Sequence, residues 1–289
     1  MNKQNIIISC DTTIALSKEE ILANNLNVIP LNTIVDGVEY HDTVDINSVK
    51  LCELMKQGGK VSTSTPTIGE IEDYFDNLFE KTNADVIIHF TISSKLSSMF
   101  SLFTTVCKEK YQDKVVVVDS YSVCQWMANQ VIYAKRLAEN GCSVDEIISK
   151  VKECLYNTED AIFIPESLEY LKRGGRISPA VASIANFIGV IPVLTFSDGE
   201  VGKKGVTRSM QKAFINTLKE WQEKYQDKIN DYQLMILSSG PLDEEKKAKS
   251  KAVINEFAKG MELIFCNISL NVTAHAGPGT IGLGLVKKF

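Results

Sequence analysis

Two hydroxyl-rich runs and one histidine-bearing turn are the stretches of this chain whose residue types suit chemistry. Val61-Ser62-Thr63-Ser64-Thr65-Pro66-Thr67 places four hydroxyls and a proline ahead of a helix that Thr67 opens. Ile92-Ser93-Ser94-Lys95-Leu96-Ser97-Ser98 follows a strand signal and leads into a second helix near Met99. A helix N-terminus offers unpaired N–H groups and a positive dipole end, so hydroxyls gathered there suit a carboxylate or phosphate. Plain helix capping is the alternative use of the first run. His275-Ala-Gly-Pro-Gly-Thr-Ile-Gly282 sets one of only three histidines at a glycine-dense turn. Its glycines allow close backbone approach, Pro278 stiffens the turn, and an imidazole there can meet a small anion. A tight strand connection with a solvated histidine is the other reading of that segment.

Periodicity and punctuation indicate what positions these loops. Gln4–Cys10, Asn27–Val35, Asp85–Thr91 and Lys114–Asp119 read as strands, the last two as nearly continuous apolar runs of the kind buried parallel strands show. Asp36-Gly37 signals a hairpin. S/T-x-x-E capping boxes at Ser17…Glu20, Thr67…Glu70 and Ser143…Glu146 announce helices. Beyond residue 160 the texture changes. A strand at Asp160–Pro165 precedes a helical Ser167–Arg173 that stops at Gly174-Gly175, and Ser178-Pro179 opens another helix. Gly189–Ser197 and Glu200–Val206 flank a second Asp-Gly hairpin. Helices over Arg208–Gln226 and Leu242–Lys259 surround a strand at Tyr232–Ser238, and strands at Glu262–Leu270 and Thr280–Val286 close the chain. The expected fold is α/β in two lobes. Residues 1–160 form a mainly parallel sheet covered by helices and 161–289 an α+β lobe, with a ligand cleft between them.

Composition narrows the function classes. The chain has 289 residues, 44% hydrophobic and 23% charged, as an ordinary globular protein does. A formal charge of -5 argues against a nucleic-acid partner. No apolar run has the length of a membrane span, and the N-terminus lacks the h-region of a signal peptide, so a cytoplasmic protein without stable membrane insertion is expected. Seven cysteines without a C-x-x-C pair read as reduced, mostly buried thiols. His41, His89 and His275 show no paired ligand spacing, and no metal site is expected. His41 reads as exposed beside its hairpin and His89 as a satisfied core histidine.

Several segments together resemble the DegV family. Thr63-Ser64-Thr65-Pro66-Thr67 is similar to its T-S-Q-P-S motif, Ile92-Ser93-Ser94-Lys95-Leu96-Ser97 to I-S-S-x-L-S, and Val118-Asp119-Ser120 to V-D-S. Leu168–Ile177 resembles L-E-Y-L-K-x-G-G-R-I, and His275–Thr280 resembles H-x-G-P-G-T. The motifs keep family order along almost the whole chain. The resemblance implies a bacterial fatty-acid-binding protein, some members being the acyl-carrying subunit of a two-part fatty acid kinase. No cofactor is implied; the ligand is a long-chain fatty acid and the partner a separate ATP-binding kinase subunit. By motif, Thr63 and Ser64 would donate to the carboxylate, with Ser93 or Ser94 opposite and His275 beside it. Arg176 and Arg208 are candidates to face phosphate or the partner. For Arg176 a cap on the helix ended by Gly174 is the slightly favoured alternative, and for Arg208 the alternative is the first residue of an exposed helix. Ala182–Ile191 and Ile281–Leu285 are candidate tunnel walls, with plain core as the alternative.

Three departures stand out. Asp11-Thr12-Thr13-Ile14-Ala15-Leu16 has alanine where the family's D-S-x-x-D-L has its second aspartate. Thr65 replaces glutamine, and Ser98-Met99-Phe100 replaces G-T-Y. Two rival functions are kept in view. Ser94, His275 and Asp119 supply the groups of a serine hydrolase acting on a lipid ester, though without a G-x-S-x-G elbow. A nucleotide or phosphate binder would suit the helix N-termini, though no G-x-x-x-x-G-K-[ST] loop is present.

Overall fold

The computed structural model describes residues 4–156, 160–175, 181 and 190–288. It divides into two units. Met1–Asn47, Thr63–Tyr156 and Asp198–Glu200 make the first; Ser48–Ser62, Asn157–Ser197 and Val201–Phe289 make the second. Sequence texture does not register this exchange of short segments.

In the first unit, β1 (Ile6–Asp11) leads through a 3-10 turn to α1 (Lys18–Ala23), β2 (Asn27–Ile29), β3 (Asn32–Val35) and β4 (Val38–His41). After α2 (Ser48–Lys56), counted with the second unit, the chain returns along β5 (Val61–Ser64). It continues through α3 (Ile68–Thr82), β6 (Val86–Thr91), α4 (Met99–Lys110), β7 (Val115–Asp119), α5 (Cys124–Glu139) and α6 (Val144–Leu155). A parallel sheet in the order β2-β1-β6-β7 forms the centre. Successive side chains alternate faces. Ile8, Cys10, Ile88 and Phe90 therefore meet Met127 and Val131 of α5 and Ile147 of α6 on one side. On the other, His89 lies between Phe75 of α3 and Phe103 of α4, with ring centroids 5.3 and 4.6 Å away. Cover on both faces explains why β6 is buried along its whole length.

Local signals in the sequence are realised closely. All three S/T-x-x-E boxes close in both directions, at Ser17, Thr67 and Ser143. Asp36 and Gly37 take φ of 50° and 84°, the left-handed pair that a two-residue hairpin between β3 and β4 needs. The expected strand Asn27–Val35 is two strands. Pro30 lacks the N–H that a continuous ladder requires, so β2 joins the parallel sheet and β3 a separate sheet in the order β4-β3-β5.

The second unit holds β8 (Asp160–Ile164), α7 (Glu169–Arg173), β9 (Ile191–Ser197), β10 (Glu200–Thr207), α8 (Met210–Tyr225), β11 (Tyr232–Ser238), α9 (Glu244–Phe257), β12 (Leu263–Asn267), α10 (Leu270–Ala276) and β13 (Ile281–Lys287). Its mixed sheet runs β10-β9-β8-β13-β11-β12, antiparallel where register is resolved except for β11 with β12. Ile162, Leu234, Ile236, Leu283 and Leu285 bury one face against Phe214, Leu218 and Trp221 of α8 and Val253 and Ile254 of α9. The opposite face shows Phe163 and Leu194, packed with Leu168 and Leu171 around α7.

Two boundaries differ from expectation. The strand over Glu262–Leu270 stops at Asn267, because Ser269 accepts the Val272 N–H and caps α10. α8 begins at Met210 behind its cap Ser209, so the exposed Arg208 precedes the helix rather than opening it.

Candidate functional site

In the first unit, the loops after β1, β6 and β7 leave the carboxyl end of the parallel sheet, and two aspartates hold them. Asp11 Oδ1 accepts the Thr13 N–H at 2.8 Å and the Thr13 hydroxyl, while Oδ2 accepts the Ile92 N–H at 3.0 Å. Burial pushes the Asp11 carboxyl above its ordinary range, against these hydrogen bonds. Asp119 Oδ1 accepts the N–H groups of Ser94 at 3.1 Å and Tyr121 at 3.0 Å. Each aspartate closes an Asx turn within its own loop and reaches the loop after β6.

These restraints give Ser93 and Ser94 opposite environments. Ser93 is fully buried. Its hydroxyl donates to the Gly199 carbonyl at 2.7 Å and accepts the Lys95 N–H at 3.3 Å. Gly199 has φ +75°, and a Cβ there would lie 2.5 Å from the Ser93 Oγ and 2.9 Å from the Tyr121 carbonyl, so both conformation and contact require glycine. Ser94 is exposed.

The two hydroxyl-preceded helices also differ. Thr67 donates its N–H to Glu70 Oε2 at 2.7 Å and its hydroxyl at 2.8 Å, so the start of α3 already holds a carboxylate. At α4, Ser98 makes no side-chain cap; the Met99 N–H reaches Ser97 Oγ at 3.4 Å. Thr63 and Ser64 end β5, both half-buried, and their side chains leave the strand on opposite faces. Ala15, where the family pattern has aspartate, stands in the left-handed region with φ 59°. Asp and Asn occupy that region more easily than alanine, which incurs about 1–2 kcal/mol there.

In the second unit, His275 occupies the last turn of α10, and Gly277 ends that helix with φ +90°. The helix end at Gly174 meets this turn at close range. A Cβ on Gly174 would lie 2.2 Å from the His275 Nδ1, one on Gly277 2.6 Å from the Tyr170 ring, and one on Gly279 2.4 Å from the Glu166 carboxylate. The Thr280 hydroxyl donates to the Ala276 carbonyl at 2.8 Å and locks the turn. Segments a hundred residues apart are thus joined face to face, which the glycines permit. Both segments carry a glycine signal in the sequence; that they meet is not legible there. Arg176 and most of Ala182–Ile191 lie outside the described residues. Ile281, Leu283 and Leu285 belong to the core against α8 and α9.

A family model described as "Uncharacterised protein, DegV family" matches residues 5–288. The chain belongs to the DegV family. A DegV domain-containing protein of Staphylococcus aureus (strain MRSA252) is 32% identical over 294 residues, covering 100% of both chains. Among solved structures, DegV of Bacillus subtilis, described as a fatty acid binding protein, has a TM-score of 0.83 at 25% identity and covers 99% of this chain and 100% of that one. A Thermus thermophilus DegV family protein, described in terms of fatty acid binding, has a TM-score of 0.84 at 24% identity, covering 99% and 100%. The two-unit α/β architecture is that of the DegV structures. No helix among the described residues is long and apolar enough to cross a membrane.

Proposed function

We propose that this DegV protein binds a long-chain fatty acid and presents its carboxylate to a separate ATP-binding kinase subunit for acyl-phosphate formation. The observation that carries this reading is the likeness, along 99% of the chain, to the Bacillus subtilis protein described as fatty acid binding. The site chemistry supports it. Thr63, Ser64, Ser94 and His275 offer neutral or imidazole donors, which satisfy a carboxylate without the bidentate grip an arginine would impose. An oxygen then stays available to accept phosphate. A tail of about 15 methylenes gains roughly 12 kcal/mol on burial, at about 0.8 per methylene, before association and ordering losses. The sheet face with Phe163 and Leu194 suits that tail, because β13 presents Gly282 and Gly284 there instead of bulky side chains.

Of the two loop serines, Ser94 is the one assigned to the carboxylate, since the Ser93 hydroxyl is committed within the fold. Ser94→Ala is expected to weaken hexadecanoate binding by about tenfold while leaving stability within about 0.5 kcal/mol. Ser93→Ala should cost about 1–3 kcal/mol of stability by orphaning the Gly199 carbonyl. Titration with hexadecanoate and urea unfolding of both variants check this. Equal stability loss in the two, with unchanged binding by Ser94→Ala, would reverse the assignment.

Arg208 is exposed and outside α8, a position suited to a partner or to phosphate. Arg208→Ala is expected to slow partner-dependent phosphorylation with hexadecanoate affinity unchanged. Loss of ligand with normal phosphorylation per bound ligand would contradict that role. The hydrolase alternative needs Asp119 to orient His275, whereas Asp119 Oδ1 serves the amides of Ser94 and Tyr121. The carrier reading leaves Asp119 that structural task.

A further inference from the structure

Away from the residues assigned to the fatty acid, the first unit gathers Glu39, His41 and Glu70, each with a ligand atom within 4.8 Å of the other two. Glu39 and His41 alternate along β4 and so share a face. Glu70 comes from the first turn of α3, and the capping box with Thr67 fixes it there. Asn32 also hydrogen-bonds Glu70, and in the β3–β4 ladder it is the register partner of His41. The hairpin and the helix start are therefore in fixed relation.

A fourth residue adjoins the cluster. Asp45 takes the His41 N–H on Oδ1 at 2.6 Å and faces His41 Nδ1 with Oδ2 at 3.3 Å. A carboxylate on Nδ1 favours the tautomer that leaves Nε2 unprotonated, the pairing that metal-binding histidines use. A carboxylate has about four acceptor positions. Among the described residues, two donors from Thr67 and one from Asn32 leave one on Glu70.

We propose that Glu39, His41 and Glu70 form a binding site for a divalent transition-metal ion, of which zinc(II) fits best. One imidazole with two carboxylates suits zinc, whereas magnesium and calcium prefer oxygen ligands alone. Zinc bonds of about 2.0–2.2 Å bring tetrahedral ligand atoms to roughly 3.4 Å apart. The exposed Glu39 has the freedom to move inward. A bound ion would clamp the β3–β4 hairpin to the start of α3, four residues beyond Ser64.

The test is calorimetric titration of the tag-free, full-length protein with zinc chloride, beside His41→Ala, Glu39→Gln and Asp45→Asn. These variants leave the Thr67–Glu70 cap intact, and circular dichroism melts check that they fold. Expected are one site in the wild type, an affinity loss of more than about a hundredfold in His41→Ala, and roughly tenfold in Asp45→Asn. Cys142, Cys154 and Cys266 are partly exposed thiols that could also take zinc. Binding that survives unchanged in His41→Ala and Glu39→Gln would assign the ion to them and overturn the proposal. So would a wild type that takes up no zinc.

Discussion

Gly174→Ala is expected to lose fatty acid as severely as His275→Ala, although residue 174 contributes no side chain to any ligand. The added Cβ would stand 2.2 Å from the His275 Nδ1, well inside contact distance. Something must move, and the imidazole, at the end of two rotatable bonds, moves more readily than the backbone of α7. The stability cost is therefore modest, about 1–2 kcal/mol. Loss of one hydrogen bond to a carboxylate corresponds to about 1.5–3 kcal/mol, roughly ten- to a hundredfold in affinity. The double variant Gly174→Ala/His275→Ala should bind no more weakly than either single one, since both remove the same contact. Hexadecanoate titration of the three proteins checks this. Additive losses would show that Gly174 acts on something other than His275.

Acid should destabilise the protein through His89, and His89→Phe should abolish that part of the loss. The imidazole is fully buried, stacked on Phe103, with Nδ1 2.9 Å from the Ser9 hydroxyl and no hydrogen-bond partner for Nε2 among the described residues. Burial lowers its pKa to about 3. The unfolded chain binds a proton there near pH 6.5, whereas the folded chain does not until near pH 3. Stability is therefore fully present above pH 6.5 and falls as pH drops through the window from 6.5 to 3, by at most about 1.4 kcal/mol per unit. Between pH 7 and pH 5 this amounts to about 2 kcal/mol. All other residues are common to the two proteins, so their contributions cancel in the comparison. Urea unfolding at the two pH values, for wild type and His89→Phe, gives the difference. An equal loss in both proteins would mean that His89 takes up its proton without unfolding.

What was legible in the sequence is what depends on neighbours a few residues away. The capping boxes at Ser17, Thr67 and Ser143 and the Asp-Gly hairpins rest on contacts within four residues, and each formed where expected. The buried run at Val86–Thr91 announced a central parallel strand because both of its faces are covered. Long-range carboxylate bonds were not legible. Nothing near Asp11 reveals that it holds the Ile92 amide 81 residues away, nor near Asp119 that it holds Ser94. The environments of Ser93 and Ser94 consequently could not be told apart from their neighbours. α10 was missed because Val272 and Thr273 favour strands and its cap at Ser269 has no acidic residue three positions on. The glycines at 174, 277 and 279 were visible as turn signals, but what they make room for is side chains from distant segments.

The central claim is fatty-acid binding, and native mass spectrometry of protein purified from a bacterial host tests it most directly, followed by solvent extraction and lipid analysis. The expected result is a near-stoichiometric long-chain fatty acid that leaves with denaturation and can be replaced by added hexadecanoate. A protein that arrives empty and takes up no added fatty acid would contradict the account.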